Sequence, residues 1–512
     1  MRRRFGFPAG LTTVFLAAVL LQVAGHVMWR DELRTWQIAR ASSGLISLSR
    51  NMRYDAVPFL WNSIVFVLTR LFERPVAMQI VHACIAAAVI FVVARWSPFP
   101  RSSIVMFALG YFPLYEYAVI ARSYALTFLL ITIACALIAQ PRVRLLWLAG
   151  VLFLLAQVSV WTPLFAVLLV AAGTAKALLT EGDQRADSNT IAAAAAIVLA
   201  GAALGVFQLF PGPGPSFTSG WSGVVAERRI TRTIASVFRG LVPIPLFGGH
   251  FWNTNILDEI PITQAVIGVS VLAIIGLALA SRPVACALLF AGAVPLVVFT
   301  GWRFRGATRH HGYLFMLTIA AFWIAAATPE WKGVRPASDR MRKTCLATLL
   351  AVNAVAGLIA VAAGLIYPFS ATWAAAQFIT STYGDTVVIA AVRDYPAAPI
   401  AQWLDRPIYF PETGTYARYN TQDDALRTHP SQDEIVRQLY EQAMATRKNV
   451  LLLVNDRLPQ ISQIPIGEEH RYDVVDGRTG RPAAVGITCL AVFDKSVVED
   501  ESHWVYLVRP IN

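Results

Sequence analysis

Long runs of apolar residues recur through the first 370 or so residues of this chain, and they limit its possible folds more than any other feature. Hydrophobic residues make up 56% of the 512-residue sequence and charged residues only 14%, which excludes an ordinary soluble globular protein. A polytopic, mainly α-helical membrane bundle is therefore predicted. With a first segment at 9–28, about eleven spans are expected from the runs at 76–94, 102–118, 123–139, 145–160, 163–178, 190–210, 262–281, 284–301, 312–328 and 344–367.

The first apolar segment follows a basic N-terminus, as the hydrophobic part of a secretory signal peptide does. It is long enough to cross a bilayer, and no small-x-small cleavage motif follows it. We therefore expect an uncleaved signal anchor that leads directly into the adjacent carboxylates Asp31 and Glu32.

Two shorter segments follow the signal anchor in the first loop. Residues 31–50 alternate apolar side chains with arginines, which predicts an amphipathic helix at the membrane interface. The run 58–71 is only about fourteen residues long, so it suits an interfacial or re-entrant helix better than a span.

The distribution of basic residues predicts the orientation. If 58–71 does not cross, fifteen Lys and Arg residues fall in connections on one side, and each connection carries at least one. Cytoplasmic loops are enriched in these residues, so the N-terminus is predicted to be cytoplasmic. The alternative, in which 58–71 crosses, would put the most basic loop outside. The basic connections are the N-terminus, 95–101, 140–144, 176–189, 281–283 and 329–343.

This orientation places 30–75, 211–261, 302–311 and the sequence after about 368 on the extracytoplasmic face. In the loop 211–261, an amphipathic stretch over 224–240 predicts a helix at the membrane surface. The net charge of +12 then belongs largely to loops that hold topology or meet anionic lipid. Nucleic acid is not an expected partner.

The sequence changes character after residue 367, which divides the chain into a membrane domain (1–367) and a tail domain (368–512). Ser370 is a candidate N-cap for a helix over 371–382, and an amphipathic helix is predicted over 432–447. We expect a small extracytoplasmic α/β domain without a phosphate loop, nucleophile elbow or metal-ligand spacing. Its predicted strands are 385–392, 407–410, 449–455, 485–493 and 503–509.

The interiors of the long predicted spans contain no Asp, Glu, Lys or Arg, and few strongly polar residues such as His82; the charged residues gather at the extracytoplasmic end instead. A coupled transporter needs ionisable groups near the bilayer midplane, so the absence of these charged residues argues against a pump or symporter. Acids and arginines at one outer face suit chemistry on an anionic, lipid-linked substrate. The residues concerned are Asp31, Glu32, Asp55, Glu116, Arg122, Arg303, Arg305, Arg309, His310 and His311.

Structural roles compete with each of these assignments. Asp31 would also suit a helix N-cap, and Glu32 would favour the first turn through the helix dipole. Arg122 and Tyr124 would suit the end of a span, with Glu116 as the ion-pair partner of Arg122. Arg303 and Arg305 fit ordinary loop positions. His310 and His311 suggest a metal, but no third ligand has a recognisable spacing, so a metal-independent site is predicted.

Three segments carry a resemblance to the GT-C superfamily of membrane glycosyltransferases. Asp31-Glu32 is similar to the family's Asp-Glu pair, and the segment from Asp55 to Trp61 to its His-Pro-Pro-Leu-Tyr-Tyr-like segment, with Val57 where the family has His. The segment 116–126, which contains Arg122-Ser-Tyr124, is similar to the family's Arg-x-x-x-Asp-like segment, with Tyr124 in place of an acid. The order of features most resembles protein O-mannosyltransferases and lipid A aminoarabinose transferases.

This resemblance implies a polyprenyl-phosphate-linked sugar donor and transfer to a hydroxyl of a glycan, lipid or protein acceptor, with inversion. The implied location is a bacterial-type inner membrane, with membrane lipids around the bundle. No cofactor is expected, and a divalent metal is the alternative. The implied residues are the acids Asp31, Glu32 and Asp55; the donor-phosphate ligands Arg122, Tyr124, Arg303, Arg305 and Arg309; and the pocket residues Glu116, Tyr117, His310, His311 and Trp61.

Other functions remain open on the sequence alone. A lipid or polysaccharide carrier is one, although the span interiors lack Asp, Glu, Lys and Arg. A membrane scaffold that presents the tail domain is another. An acyltransferase that uses His310 or His311 is the third, and no acyl-carrier signature accompanies these histidines.

The orientation yields a first prediction. Topology reporters fused after Ala337 and after Pro430 should report cytoplasm and periplasm, respectively, because the first lies in the most basic loop and the second in the tail. The measurement is paired alkaline phosphatase and green fluorescent protein activity in cells. The reversed pair of signals would place the carboxylates of the first loop in the cytoplasm and contradict the orientation.

Overall fold

A computed structural model describes residues 5–55, 57–179, 186–211, 227–302, 304, 306–331, 333, 338–420, 422–455, 458–477 and 479–511. The membrane domain is helical throughout these residues, and the tail contains the strands. Its elements are α1 Gly6–Gly25, α2 Arg30–Ala41, α3 Leu45–Asn51, α4 Leu60–Leu71, α5 Val76–Trp96, α6 Arg101–Ala108, a π-helix Tyr111–Glu116, α7 Tyr124–Ile138, α8 Leu145–Leu155, α9 Thr162–Leu179, α10 Ser188–Phe207, α11 Glu227–Leu241, α12 Pro261–Leu279, α13 Pro283–Trp302, α14 Thr308–Ala327 and α15 Asp339–Ile366.

Within the described ranges, eight helices are long and apolar enough to cross a membrane: α1, α5, α9, α10, α12, α13, α14 and α15. The prediction of a polytopic helical membrane protein is thus confirmed at this level. Three other predicted spans correspond to shorter helices. The run 123–139 forms the 15-residue α7, and 145–160 forms the 11-residue α8. The third, 102–118, is divided into two helices.

The prediction of one continuous helix over 102–118 was wrong. The α6 helix ends at Ala108, and a separate π-helix begins at Tyr111. Pro113 lacks the amide N–H that a regular helix would need there, which favours the break. Gly357 of α15 packs against this junction, where a Cβ would lie 2.1 Å from the Leu109 carbonyl oxygen. Only glycine therefore allows α15 to come this close.

The first loop forms three short helices. The single helix predicted over 31–50 is wrong, because Ser42-Ser43-Gly44 interrupts it between α2 and α3. Small polar residues compete with the helix backbone for hydrogen bonds, and glycine adds conformational freedom. The short run 58–71 forms α4, a 12-residue helix. Helix α2 packs along α4 on one side and against the tail domain on the other.

Helix α11 accounts for the amphipathic stretch 224–240, of which 224–226 lie outside the described residues. It packs against α12, α13 and α14 and buries Val237 and Phe238, so it is more than a helix on the membrane surface. Gly240 allows a close approach to α14, since a Cβ there would lie 2.5 Å from the His311 carbonyl oxygen.

The tail domain is a seven-stranded mixed sheet with helices on both faces. The strand order is β3-β2-β1-β4-β7-β6-β5, with β1 parallel to β2 and β4 and the other neighbours antiparallel. Its elements are α16 Thr372–Thr382, β1 Val388–Ala391, α17 Asp394–Leu404, β2 Ile408–Phe410, β3 Thr415–Ala417, α18 Gln432–Thr446, β4 Val450–Val454, β5 Glu469–Val475, β6 Pro482–Phe493 and β7 His503–Ile511.

The central strand β4 is buried on both faces, which explains its unbroken apolar sequence. Leu451 and Leu453 pack toward α16 and α17, whereas Leu452 packs toward α18. All five predicted strands are present, together with the helices over 371–382 and 432–447. Ser370 does not sit at the N-cap, but its hydroxyl accepts a hydrogen bond from the Thr372 N–H at 3.2 Å.

Sequence reasoning missed α17, β3 and β5. Helix α17 contains two prolines, Pro396 and Pro399, a residue type that is unfavourable in helix interiors. Pro396 occupies the first turn, where no amide hydrogen bond is needed. Strand β5 is mostly exposed and polar at the sheet edge, so it lacks the apolar alternation that identifies a strand.

The tail domain docks on the first loop through α2. The Gln37 amide donates to the carbonyl oxygens of Ala398 and Arg418 at 2.7 and 2.8 Å. The Arg30 guanidinium pairs with Asp500 at 2.5 Å, and the Arg30 N–H donates to Glu501 Oε1 at 2.7 Å. Polar contacts of α2 thus connect the two domains.

Glu501 makes this contact pH-dependent. Burial raises the pKa of Glu501 to about 8, although the nearby Arg30 opposes the shift, and its Oε2 has no hydrogen-bond partner among the described residues. The folded protein therefore holds a proton on Glu501 that the unfolded chain releases near the ordinary pKa of 4.5. This contribution to stability falls as pH rises from about 5 to about 8.

We predict that Glu501→Gln, which mimics the protonated form, raises the melting temperature relative to wild type at pH 8.5 and changes it much less at pH 5. Thermal unfolding of purified protein, followed by intrinsic fluorescence across this range, measures the effect. The control is Glu499→Gln, whose side chain is 78% exposed. Parallel pH profiles for wild type and Glu501→Gln would contradict the prediction.

Candidate active site

The carboxylates of Asp31 and Glu32 lie in the first turn of α2, where the helix dipole favours negative charge. Successive helical side chains point about 100° apart, so the two carboxylates reach different surroundings. The structure gives them different roles.

Glu32 is fully buried and held by three hydrogen bonds. Its Oε2 accepts from the Trp29 N–H at 3.2 Å, which caps α2, and lies 2.9 Å from His26 Nε2. Its Oε1 accepts from the Ala121 N–H, just before Arg122, at 2.6 Å. Glu32 therefore fixes the start of α2 against the connection between the π-helix and α7.

Asp31 is partly exposed and faces arginines. Its Oδ2 lies 3.4 Å from Arg122 Nη1 and 3.8 Å from Arg309 Nη2, with 27% of the side chain accessible. Burial alone would raise the pKa of this carboxyl, but Arg122, Arg309, Arg30 and Arg34 together hold it below its usual value. Asp31 is thus an accessible, ionised carboxylate.

A cleft opens beside Asp31 between the first loop and the ends of the membrane helices; we call it the membrane-side cleft. It encloses about 560 Å³, its open side included. The predicted residues Asp31, Asp55, Trp61 and Arg122 all line it. Other lining residues are Arg34, Thr35, Val57, Pro58, Asn62, Ser123, Val158 and Gln422.

Trp61 contributes a largely buried indole to the cleft lining. The indole is 3% exposed and lies edge-on to His82, with ring centroids 5.6 Å apart. Its Nε1–H is buried and has no partner among the described residues.

Arg34 was missed by sequence analysis, although it lies one helical turn after Asp31. Its guanidinium pairs closely with Asp55 and donates to Asn420 Oδ1 at 2.8 Å and also to the Asn420 carbonyl oxygen. The i, i+3 spacing from Asp31 was the available signal. Asn420 lies in the tail domain, so no local pattern identified it.

A second cleft, the tail-side cleft, shares Asp31, Arg34 and Gln422 with the first. It encloses about 420 Å³ between α2 and the tail domain. Arg427 on its wall binds the Asp394 carboxylate through two contacts of 2.9 and 3.0 Å. Arg30, Tyr395, Asn420 and Gln422 complete the lining. Asp31 therefore borders two clefts of different composition.

Arg309 is held by aromatic rings. Its guanidinium lies 5.1 Å from the centre of Trp29 and 5.0 Å from that of Trp252, a cation–π arrangement on both sides. The Tyr117 hydroxyl also donates to the Arg309 carbonyl oxygen at 2.6 Å. The guanidinium is thereby oriented toward Asp31.

Glu116 lies behind the site, fully buried. Its carboxylate accepts hydrogen bonds from the Tyr111 hydroxyl at 2.8 Å and from Trp252 Nε1 at 3.0 Å. The expected ion pair between Glu116 and Arg122 is wrong, because Arg122 contacts Asp31 instead. Through Trp252, Glu116 supports Arg309, and neither Glu116 nor Tyr117 lines the two clefts.

Tyr124, His310 and His311 are the remaining predicted residues that the structure describes. Tyr124 stacks on Tyr117 at 5.1 Å and lies edge-on to His310 at 6.1 Å. His310 Nδ1 accepts from the Ala307 N–H at 2.9 Å and so caps α14, while His311 is buried. Arg303 and Arg305 lie outside the described residues.

Comparisons with known proteins add no identity. The chain matches no family model, no curated protein and no solved structure. Within the part of the chain that the structure describes, no group of three or more His, Cys, Asp or Glu side chains is placed to hold a metal ion. The geometry and charge of the site are therefore the basis for a functional assignment.

The separate surroundings of the two carboxylates yield a stability prediction. Glu32→Ala leaves the Trp29 and Ala121 N–H groups buried without acceptors, at a cost of about 1–3 kcal/mol each. We expect its melting temperature to fall by several degrees, whereas Asp31→Asn, on the accessible side of α2, should unfold close to wild type. Thermal unfolding in detergent measures both. Equal losses for the two variants would contradict this division.

Proposed function

We propose that this protein is a GT-C-type glycosyltransferase that moves a sugar from a polyprenyl-phosphate donor to an acceptor hydroxyl at the extracytoplasmic face. The observation that carries the proposal is the position of Asp31, an accessible carboxylate between two clefts and beside two arginines. A transferase must bring two substrates to one base, and this arrangement supports such a meeting. The proposed family rests on the resemblance of the first-loop motifs to those of GT-C enzymes.

Asp31 acts as the general base. It accepts the proton of the acceptor hydroxyl as that oxygen attacks the anomeric carbon from the face opposite the phosphate. The bond from the anomeric carbon to the phosphate oxygen breaks, and its electron pair leaves with the polyprenyl phosphate. The configuration at the anomeric carbon is therefore inverted.

Arg122 and Arg309 stabilise the departing phosphate, whose negative charge grows in the transition state. A planar guanidinium matches two phosphate oxygens at once. The same arginines hold down the pKa of Asp31 in the free protein. A bound phosphate would share their positive charge, so the basicity of Asp31 would rise when the donor is present.

The membrane-side cleft suits the donor sugar, because it lies at the ends of the membrane helices and is lined by Arg122 and Trp61. The tail-side cleft suits the acceptor, which would approach from water along the tail domain. Arg34 and Asp55 form an ion pair beside Asp31, and we assign them a positioning role between the donor cleft and the acceptor cleft. Trp29 and Trp252 hold the Arg309 guanidinium in position beside Asp31.

The proposed topology has eleven spans. Helix α6 with the π-helix, α7 and α8 cross the bilayer in addition to the eight long helices, and α4 stays at the interface. The N-terminus is cytoplasmic and the tail domain extracytoplasmic, in a bacterial-type inner membrane. This orientation is supported by the fifteen basic residues on one side.

Transfer is proposed to need no metal, because arginines occupy the positions where a cation would neutralise the phosphate. The residues that would bind a divalent ion in the alternative are Asp31 and Asp55, both on the membrane-side cleft. A chelator decides between these two cases.

The test is transfer by purified protein supplied with a short-chain polyprenyl-phosphate sugar and envelope glycolipids, glycans or peptides as acceptors. We predict that wild type forms a glycosylated product in EDTA and that Asp31→Asn loses about 10²–10⁴-fold in rate, the usual effect of removing a general base. Product is measured by mass spectrometry. The control is Asp385→Asn, the same chemical change at a side chain that is 97% exposed.

Three results would overturn parts of the proposal. Near-wild-type turnover in Asp31→Asn would remove Asp31 as the base. Activity that disappears in EDTA and returns with a divalent ion would establish the metal-bridged alternative. Failure of wild type to consume any donor sugar, while labelled lipid crosses a vesicle bilayer, would identify a carrier.

A further inference from the structure

A large groove lies at the end of the bundle opposite the candidate active site. Helix α5 begins near the site, where Gln79 contacts the His26 carbonyl oxygen, and its last turns, from Ala88 to Trp96, border the groove. The groove encloses about 2,150 Å³, its open side included, and is the largest of the clefts described for this protein. Its floor is apolar, with side chains from α5, α7 and α8.

Two short helices border this groove. At 1.5 Å per residue, the 11 residues of α8 extend about 16 Å and the 15 of α7 about 22 Å, whereas a bilayer core is about 30 Å thick. The neighbouring α5 and α10, with 21 and 20 residues, are long enough to span. The helical parts of α7 and α8 are therefore shorter than the neighbouring helices, and the groove lies beside the turn that joins them.

The turn between α7 and α8 carries two arginines, Arg142 and Arg144, at the edge of this groove. Both are exposed, and neither has an ion pair or hydrogen-bond partner among the described residues. Other arginines at this end are engaged: Arg95 lies over Phe5, and Arg282 pairs with Glu330. Both guanidinium groups are therefore available to an anion that reaches the groove.

Neighbouring polar groups already have partners within the protein. The Lys176 ammonium group donates to the carbonyl oxygens of Ile138 and Gln140, each at 2.6 Å, and so caps α7. The Gln140 amide donates to the Ala136 carbonyl oxygen at 3.1 Å. The Thr190 hydroxyl donates to Asp187, which caps α10. Arg142 and Arg144 thus remain as the donors available at the rim.

Tryptophans flank these arginines. Trp96 and Trp147 line the groove, and Trp147 is 71% exposed. Tryptophan favours the level of lipid headgroups at a membrane surface. An apolar groove, a tryptophan rim and two guanidinium groups together match a lipid with a phosphate headgroup.

We propose that this groove binds an anionic phospholipid, with its phosphate on Arg142 and Arg144 and its acyl chains along α5 and α7. Basic pockets between membrane helices bind anionic headgroups in this way, and a guanidinium suits phosphate oxygens. The lipid lies beside the turn that joins α7 and α8. This site is separate from the proposed transferase chemistry and stands without it.

The test is native mass spectrometry of full-length protein incubated with equal amounts of phosphatidylglycerol and phosphatidylcholine. Wild type should retain phosphatidylglycerol preferentially. Arg142→Gln/Arg144→Gln should lower this retention about tenfold or more, because each basic residue near an anionic headgroup contributes appreciably to binding. The matched control is Arg340→Gln/Lys343→Gln, which removes the same charge from exposed positions at the same end.

A second variant tests the groove without changing charge. Ala136, half-buried on the groove floor, becomes Phe in Ala136→Phe, which fills the space for the acyl chains. We expect reduced retention although both arginines remain. Equal retention of the two lipids by wild type, equal losses in the charge control, or displacement of the lipid by soluble glycerol 3-phosphate would each overturn the proposal.

Discussion

The site depends on the contacts that the buried Glu32 side chain makes with three segments of the chain. This side chain joins the end of α1, the start of α2 and the chain before Arg122 through His26, the Trp29 N–H and the Ala121 N–H. A buried charge needs this many partners to offset desolvation. Because these partners come from three segments, their positions are fixed together. The placement of Asp31 and Arg122 follows from that arrangement.

Two adjacent carboxylates thereby acquire opposite properties from their surroundings. Glu32 is enclosed and uses both oxygens within the protein, while Asp31 remains open to two clefts. Arginines around Asp31 keep it ionised, and Trp29 and Trp252 keep Arg309 in place. A second layer, in which Glu116 binds Trp252, supports those rings. The accessible Asp31 carboxylate is thus surrounded by arginines whose positions depend on packed aromatic side chains.

The sequence predicted the helical membrane bundle, a short helix within 58–71 and the central strands of the tail, because the length and spacing of apolar runs identify each of them. It placed Asp31, Asp55, Trp61 and Arg122 near one another through short motifs, and these residues line one cleft. Sequence analysis did not predict the features that depend on long-range contacts. Arg34 owes its position to Asn420 from the tail, and α17 forms despite two prolines because it packs on α2 and the sheet. No local pattern encodes such contacts.

The tail domain cannot be a passive appendage in this arrangement. Arg34 is held jointly by Asp55 of the first loop and Asn420 of the tail, and Arg30 by Asp500. Both arginines also contribute to the field that keeps Asp31 ionised. Separating the tail from α2 would leave Arg34 with Asp55 alone and open the tail-side cleft to water. The electrostatic state of Asp31 is therefore coupled to tail docking, and an acceptor that wedges between the tail and α2 would act directly on the proposed base.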